Sequence, residues 1–193
     1  MTKNRLEAFS DGVMAIVITV LVLNLTIPQG DSFQDLVSIS QKVVVYIFSF
    51  ALVAVYWNNH HHLFHIIPKI DAKVIWTNHF FLLVLTLLPF TTAWISEHLF
   101  SLLPQFLYGL VILLADFVFL MLLKISERYS EANTKDIFKS LMKKTIFSVA
   151  LNLVAIILGI FVAPILVSVV NLLMITLWVV PDKRIEDRLN SKD

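Results

Sequence analysis

Apolar residues fall into six runs along the chain, each close to the length of about 20 residues that a helix needs to cross hydrocarbon. The runs lie near residues 5–27, 36–62, 74–96, 103–123, 145–162 and 164–180. Only Ala163 and Pro164 separate the last two runs, and because proline breaks a helix, these runs predict a tight hairpin. The longest polar stretch, 124–144, is too short for a separate soluble domain. The pattern therefore predicts an all-α integral membrane protein, with six helices in a single domain over residues 1–193.

Composition supports the membrane assignment and excludes some kinds of chemistry. Hydrophobic residues make up 58% of the chain and charged residues 15%, whereas soluble domains are about 45–50% apolar. The first apolar run leads past Pro28 into further apolar runs, so we expect no cleaved secretory signal. The chain has no cysteine, which excludes disulfides and thiolate metal sites.

Basic residues concentrate on one side of the predicted membrane. Six crossings would place all of the 15 lysines and arginines except Lys42 on the side of the two termini. These are Lys3, Arg5, Lys69, Lys73, Lys124, Arg128, Lys135, Lys139, Lys143, Lys144, Lys183, Arg184, Arg188 and Lys192. Since basic loops stay in the cytoplasm, we expect a multi-pass protein of the cell membrane with both termini cytoplasmic. The stretch 135–144 suits anionic membrane lipid, and no nucleic-acid partner is expected.

The first run carries a stripe that is not simply apolar. At about 100° per residue, seven residues share one helix face: Ala8, Gly12, Ala15, Ile16, Thr19, Leu23 and Thr26. Small and hydroxyl residues let membrane helices pack closely, so the stripe fits a helix interface as well as a pore lining. Ser10 and Asp11 lie roughly 160° and 100° from the stripe and should face neighbouring helices, while Val17 is expected to face lipid.

A polar layer is predicted at the depth of Arg5 to Asp11, because the second run descends to that side and the third rises from it. Its members are Trp57, Asn58, Asn59, His60, His61, His62, His65, Trp76, Asn78 and His79. Imidazole is a common metal ligand, but consecutive histidines scatter around a helix and no HExxH motif or cysteine accompanies them. We interpret the layer as an aromatic belt with hydrogen bonds.

The pattern R-x-x-x-F-S-D at Arg5, Phe9, Ser10 and Asp11 opens the first of the six runs. Together with the stretch from Trp76 to His79 and with Pro89, it resembles the transmembrane protein 175 family. That family comprises endosomal and lysosomal potassium channels of animals and their prokaryotic homologues. Animal members carry two six-helix repeats, so this single repeat resembles the prokaryotic form, in which four chains surround a central pore.

The resemblance implies where the working residues lie. The first helix of the family lines the pore, and its constriction and selectivity positions match Ile16, Thr19 and Leu23. The motif network at the cytoplasmic end would consist of Arg5, Phe9, Ser10, Asp11, Trp76 and His79. The expected protein is a homotetrameric channel rather than an enzyme, with potassium as the transported ion, no cofactor and no other metal. No TVGYG-like loop is present, so moderate potassium selectivity would come from rings of side chains instead of backbone carbonyls.

Two other classes stay open. In a proton- or ion-coupled secondary transporter, Asp11, Asp116 and the histidines would be relay groups, although no internal repeat or pair of broken helices supports that class. In a non-conducting membrane scaffold, the stripe would be an oligomer interface. Asp116 is either a functional carboxylate or a packing group, and Asn152 and Asn171 are expected to hydrogen-bond each other. Pro89 predicts a kink whose freed carbonyl is satisfied by nearby hydroxyls.

Overall fold

The computed structural model describes residues 2–130 and 134–179, and within these ranges every regular element is helical. The helices are α1 (Lys3–Leu23), α2 (Phe33–Ser38), α3 (Ser40–Ile66), α4 (Ala72–Leu85), α5 (Leu88–Glu97), α6 (Leu102–Ser126), α7 (Lys135–Phe161) and α8 (Leu166–Val179), with a 3-10 turn at Glu127–Tyr129 after α6. The predicted all-α membrane fold is confirmed. The central helix is α6, which packs against α4, α5, α7 and α8, whereas α1 packs against α3, α4 and α5 at the edge of the bundle.

Five stretches in the described residues are long and apolar enough to cross a membrane. They are Lys3–Leu23, Ser40–Ile66, Ala72–Glu97, Leu102–Tyr129 and Lys135–Phe161. The sixth predicted segment corresponds to α8, which is shorter at 14 residues. The end of that segment, residue 180, lies outside the described residues, as do four predicted cytoplasmic basic residues: Lys183, Arg184, Arg188 and Lys192.

Several helix boundaries differ from the apolar runs. The first run ends at residue 27, but α1 ends at Leu23, so Thr26 of the predicted stripe lies beyond the helix. The second run, 36–62, begins inside the short helix α2, which starts where Ser32 and Asp35 form a capping box. The fifth run begins at residue 145, but α7 already starts at Lys135. Hydropathy marks the part of a helix that suits lipid, and the polar first turns of α7 continue the same helix beyond it.

The third run breaks where Pro89 predicts a kink. α4 ends at Leu85 and α5 begins at Leu88, so Pro89 lies in the first turn of α5, where a missing N–H costs little. The Thr86 hydroxyl donates to the Leu83 carbonyl at 2.6 Å, and the Thr91 hydroxyl donates to the Leu88 carbonyl at 3.2 Å. The predicted break at Pro89 is confirmed, but these hydroxyls bond the carbonyls of Leu83 and Leu88 and not that of Leu85, which Pro89 leaves without its helical N–H partner.

The last two helices form the predicted tight hairpin, with α7 ending at Phe161 and α8 beginning at Leu166. Two glycines let Val167 of α8 approach its neighbours closely. A Cβ atom at Gly159 would lie 2.5 Å from one Val167 methyl, and a Cβ atom at Gly109 would lie 2.6 Å from the other. Val167 therefore joins α6, α7 and α8 in a contact that larger residues would block.

The predicted bond between Asn152 and Asn171 is wrong. Asn152 donates instead to the carboxylate of Asp116 at 2.9 Å, and Asn171 donates to the Val167 carbonyl of its own helix at 2.8 Å. Tyr56 donates to the other carboxylate oxygen of Asp116 at 2.7 Å, and the Asp116 side chain is buried. Asp116 thus joins α3, α6 and α7 inside the bundle through hydrogen bonds.

Candidate functional site

One face of α1 is exposed in the described part of the chain. The helix buries Leu6, Ser10, Met14, Val17 and Leu21 against its neighbours. All members of the predicted stripe are exposed: Ala8, Gly12, Ala15, Ile16, Thr19, Leu23 and Thr26. The expectation that Val17 faces lipid is wrong, since its side chain is only 3% exposed. The helices α3, α4 and α5 pack on that side of α1.

The exposed face of α1 combines open space with oriented polar atoms. A Cβ atom added to Gly12 would meet nothing within 4 Å. Thr19 donates its hydroxyl proton to the Ala15 carbonyl at 2.9 Å, so the remaining lone pairs of its oxygen are free to accept. The predicted constriction residues Ile16 and Leu23 are 64% and 74% exposed. The three predicted pore residues are therefore exposed on the described surface, with Ile16 beside a groove that it shares with Pro89 and Phe90.

A buried polar chain fixes the N-terminal half of α1 against two other helices. The side-chain amide of Asn78 on α4 donates to the Ser10 hydroxyl at 2.8 Å, and its oxygen lies 2.7 Å from Nε2 of His60 on α3. Ser10 passes its own proton to the Leu6 carbonyl at 2.9 Å. All three linked side chains are buried, so this chain sets which face of α1 points outward.

A second, more exposed group joins α1 to α3. The indole N–H of Trp57 donates to the Asp11 carboxylate at 2.9 Å, and the Trp57 ring stacks on His61 with centroids 5.8 Å apart. Nδ1 of His61 lies 3.0 Å from the carboxylate of Glu7. Asp11 therefore has a neutral donor, and Glu7 has an imidazole that adds a charge when protonated.

The remaining members of the predicted motif network lie apart from these bonds. The ring of Phe9 packs on that of His79 with centroids 5.6 Å apart, and the ring of Trp76 packs on the same imidazole with centroids 5.9 Å apart. Arg5 is exposed and makes no hydrogen bond or ion pair with the described part of the chain. Its direction on the helix lies about 20° from that of Ile16, on the open face. The six motif residues therefore fall into three groups. Ser10 and Asp11 each bond to another helix, Phe9, Trp76 and His79 form an aromatic group, and Arg5 has no partner among the described residues.

Sequence reasoning missed several of the residues that complete these networks. Asn78, His60 and Trp57 were expected only as members of a general polar layer, and Glu7 was not expected to have a partner. The available signal was the shared depth of these polar groups. Which of them meet depends on the rotation of α3 and α4, which the hydrophobic pattern does not determine.

The start of α4 is fixed by the residue that precedes it, Asp71. This helix carries Trp76, Asn78 and His79. Asp71 is the N-cap of α4, and its carboxylate accepts the backbone N–H of Val74 at 2.8 Å. That hydrogen bond favours the charged carboxylate and lowers the pKa of Asp71 below its usual value. The helix therefore begins with a satisfied and negatively charged cap.

The histidines do not gather into a metal site. Among residues 2–130 and 134–179, no group of three or more histidines and carboxylates is placed to hold a metal ion. His60 is committed to Asn78, His61 to Glu7, and His79 to the Ile75 carbonyl at 2.6 Å.

At its C-terminal end α1 is tied to α5 and α3. Asn24, the C-cap of α1, donates its side-chain amide to the Pro89 carbonyl at 3.1 Å. Lys42 of α3 donates to the Thr26 hydroxyl at 3.1 Å and forms an ion pair with Glu97 at the end of α5. Gln41 donates to the Ser96 carbonyl at 3.0 Å beside this pair. Both ends of the open face are therefore held by side-chain bonds.

Comparisons with known proteins agree with this architecture. The family model described as endosomal/lysosomal potassium channel TMEM175 matches residues 5–89. A potassium channel of Chryseobacterium sp. (strain P1-3) is 38% identical over 195 residues, which cover 98% of each chain. The crystal structure of a lysosomal potassium-selective channel TMEM175 homolog from Chamaesiphon minutus superposes with a TM-score of 0.82 at 30% identity, covering 92% of this chain and 96% of that one.

The animal relatives match a smaller part of the chain. The mouse endosomal/lysosomal proton channel TMEM175 is 30% identical over 95 residues, which cover 47% of this chain and 19% of the mouse protein. The bacterial relative, by contrast, matches along the whole length. The matched family is a family of channels and not a class of enzymes. On the full-length match, the chain belongs to the TMEM175 family of potassium channels.

Proposed function

We propose that four copies of this chain surround a central pore, lined by the open face of α1, through which potassium moves passively across the cell membrane. The observation that carries the proposal is a continuous exposed face of α1 on which the small and hydroxyl residues Ala8, Gly12, Ala15 and Thr19 stand beside the bulky residues Ile16 and Leu23. A face of this kind suits water or another helix better than lipid tails. Because the relatives of this chain are named channels, we attribute this exposed face of α1 to a water-filled pore shared by several copies of the chain.

The three predicted pore residues would form rings at successive depths. A rise of about 1.5 Å per residue separates Ile16 from Leu23 by about 10 Å along the axis, with Thr19 between them. Rings of Ile16 and Leu23 would set the diameter and repel water when closed. The outward lone pairs of Thr19 would replace part of the hydration shell that potassium loses between them. A filter of this kind favours potassium over sodium only moderately.

The proposed orientation places both termini in the cytoplasm. Lys3 at the start of α1 donates to the Ile67 carbonyl at the end of α3 at 3.1 Å. The ends that carry Lys3, Arg5 and Lys69 therefore lie together, which supports a common basic side. On this orientation the polar bonds of Ser10 and Asp11 stand at the cytoplasmic end of the pore, and Thr26 stands at the outer end.

Ion flux through purified protein tests the proposal. Liposomes that contain the full chain, with defined potassium and sodium gradients, should carry a current that reverses near the potassium equilibrium potential. The flux should need no second ion gradient, because a pore only relaxes the gradients that it is given. Flux coupled to protons or sodium at fixed stoichiometry would support a transporter instead, and absence of any ion flux would support a scaffold.

A proton gradient forms the third arm of this assay, because the matched animal relatives are named proton channels. We expect potassium to carry the larger current, since the full-length bacterial relative is named a potassium channel. The copy number is tested separately by the mass of the detergent-solubilised protein from light scattering. A mass of four chains is expected, and a monodisperse monomer that still conducts would exclude a shared axis.

A further inference from the structure

Lys42 stands apart from every other basic residue of the chain, because the predicted topology places it alone on the outer side. Its ammonium group donates to the Thr26 hydroxyl at 3.1 Å and forms an ion pair with Glu97. We refer to these three residues as the Lys42 clasp. The Lys42 side chain is 19% exposed and that of Glu97 is 55% exposed, so both charges remain close to solvent.

The clasp lies close to the outermost predicted pore residue. Thr26 follows Leu23 by three residues, so the chain between them spans at most about 11 Å. The Debye length is about 10 Å at 0.1 M salt. A net charge on the clasp would therefore act on ions at the level of Leu23 in dilute salt, and this influence would vanish in concentrated salt.

We propose that Lys42 and Glu97 set the rate at which potassium enters the outer mouth, because each cancels the charge of the other and leaves Asp31 and Asp35 as the unpaired charges of that side. This inference rests on the proposed pore along α1. In four copies, the loss of Lys42 would leave four carboxylates beside the mouth and concentrate cations there. The loss of Glu97 would leave four ammonium groups and repel cations. Thr26 positions the ammonium group at the end of the pore-lining segment, so the pair affects entry rather than folding alone.

Four variants of the full chain test this inference. Lys42→Met and Glu97→Gln each remove one charge, the double variant removes both, and the exchange Lys42→Glu with Glu97→Lys keeps a pair with reversed positions. Each is reconstituted in planar bilayers with independent solutions on the two sides. Current entering from the clasp side is measured at about 0.1 M and about 1 M potassium.

At the lower concentration we expect Lys42→Met to raise entry from the clasp side about two- to threefold, and Glu97→Gln to lower it by a similar factor. Current entering from the opposite side should stay unchanged, so each single variant should rectify in the opposite sense. The double variant and the exchanged pair should behave like the unaltered protein, and all differences should disappear at the higher concentration.

The outcomes separate this inference from the proposed function. An unaltered chain that carries no ion current contradicts the proposed channel. A conducting chain whose single variants show no rectification contradicts only the role of the clasp. If both single variants lose current equally at both concentrations, the pair is a structural tie and the electrostatic role is overturned. If one single variant does not assemble, the other still decides, because it must rectify while the double variant, in which the clasp has no net charge, must not.

Discussion

α1 and α7 are both long apolar helices, but they distribute their side chains in different ways. From Thr145 to Phe161, α7 exposes bulky residues and buries its polar ones, Thr145, Ser148 and Asn152. The exposed bulky set is Ile146, Phe147, Leu153, Val154, Ile157, Ile160 and Phe161. α1 also exposes bulky residues, namely Phe9, Ile16, Val20, Val22 and Leu23, but among them it exposes the small and hydroxyl residues Ala8, Gly12, Ala15 and Thr19.

The difference shows that exposure alone does not identify a lipid-facing surface. The exposed face of α7 has the large apolar side chains that lipid tails favour. The exposed face of α1 has the small and hydroxyl residues that are found where membrane helices approach each other or meet water. Equal substitutions on the two helices can therefore separate a conducting face from a lipid face within one protein.

The largest difference is expected when an isoleucine on each exposed face becomes polar. Ile16→Asn should hydrate the proposed constriction and raise conductance by roughly tenfold, the effect of lowering a barrier by about 1.4 kcal/mol. It should also reduce discrimination between potassium and sodium. Single-channel current and reversal potential under mixed ions measure both effects.

The matched control is Ile157→Asn on α7, where the isoleucine is 53% exposed against 64% for Ile16. An asparagine there meets lipid, so the yield of inserted protein should fall while conductance and ion preference stay the same. Altered ion preference in Ile157→Asn with none in Ile16→Asn would reverse the assignment of the two faces.

The second prediction asks whether buried bonds hold α1 with its open face outward. Asn78→Leu keeps the approximate shape but leaves Ser10 and His60 without their partner. Each buried polar group left unsatisfied costs about 1–3 kcal/mol, so the loss for the two groups should total about 2–6 kcal/mol. Thermal unfolding in detergent should show a clearly lower Tm, together with fewer assembled oligomers.

Asn58→Leu on α3 provides the comparison, because Asn58 is exposed. An exposed substitution of this kind usually changes stability by less than about 0.5 kcal/mol. Equal Tm values for the Asn78 and Asn58 variants would show that the buried chain does not fix the rotation of α1.

The third prediction uses two threonines with the same local bond. Thr19 on α1 donates to Ala15 at 2.9 Å, and Thr145 on α7 donates to Leu141 at 2.8 Å, but Thr145 is 1% exposed. Thr19→Val should lower the permeability ratio of potassium to sodium by roughly two- to tenfold, if the lost hydroxyl contributes about 0.5–1.5 kcal/mol. Thr145→Val should leave the ratio unchanged. A shift of equal size in both variants would mean that the effect passes through packing.

The smallest effect is expected for two valines. Val17→Ala removes buried atoms and should cost about 1–2 kcal/mol of unfolding free energy, whereas Val154→Ala on α7, which is 47% exposed, should cost less than about 0.5 kcal/mol. Chemical denaturation in detergent measures both. Neither change should alter ion preference, and a Val17 variant as stable as the Val154 variant would place Val17 on the outside after all.

Particular residues show how far the sequence carries such a comparison. The helical period alone groups Ile16, Thr19 and Leu23 on one face, because their spacing follows the geometry of a single helix. Val17 was misassigned because a helical wheel gives directions but not the neighbours that lie in each direction. Asn152 was paired with the wrong partner for a related reason. Its bond to Asp116, 36 positions earlier in the chain, depends on the relative depth of the two helices that carry these residues. The site therefore follows from the sequence along α1 and requires the structure wherever helices meet.

The bond from Thr19 to its own helix also bears on the sign of the charge that can pass. A free hydroxyl can turn its proton toward an anion or its lone pairs toward a cation, but Thr19 has already donated its proton to Ala15. In the proposed ring, four such oxygens present only electron pairs to the axis. Chloride would find no donor there to replace its lost water. The ring would reject anions without any fixed negative charge, and its charge discrimination would persist in concentrated salt, where screened carboxylates lose theirs.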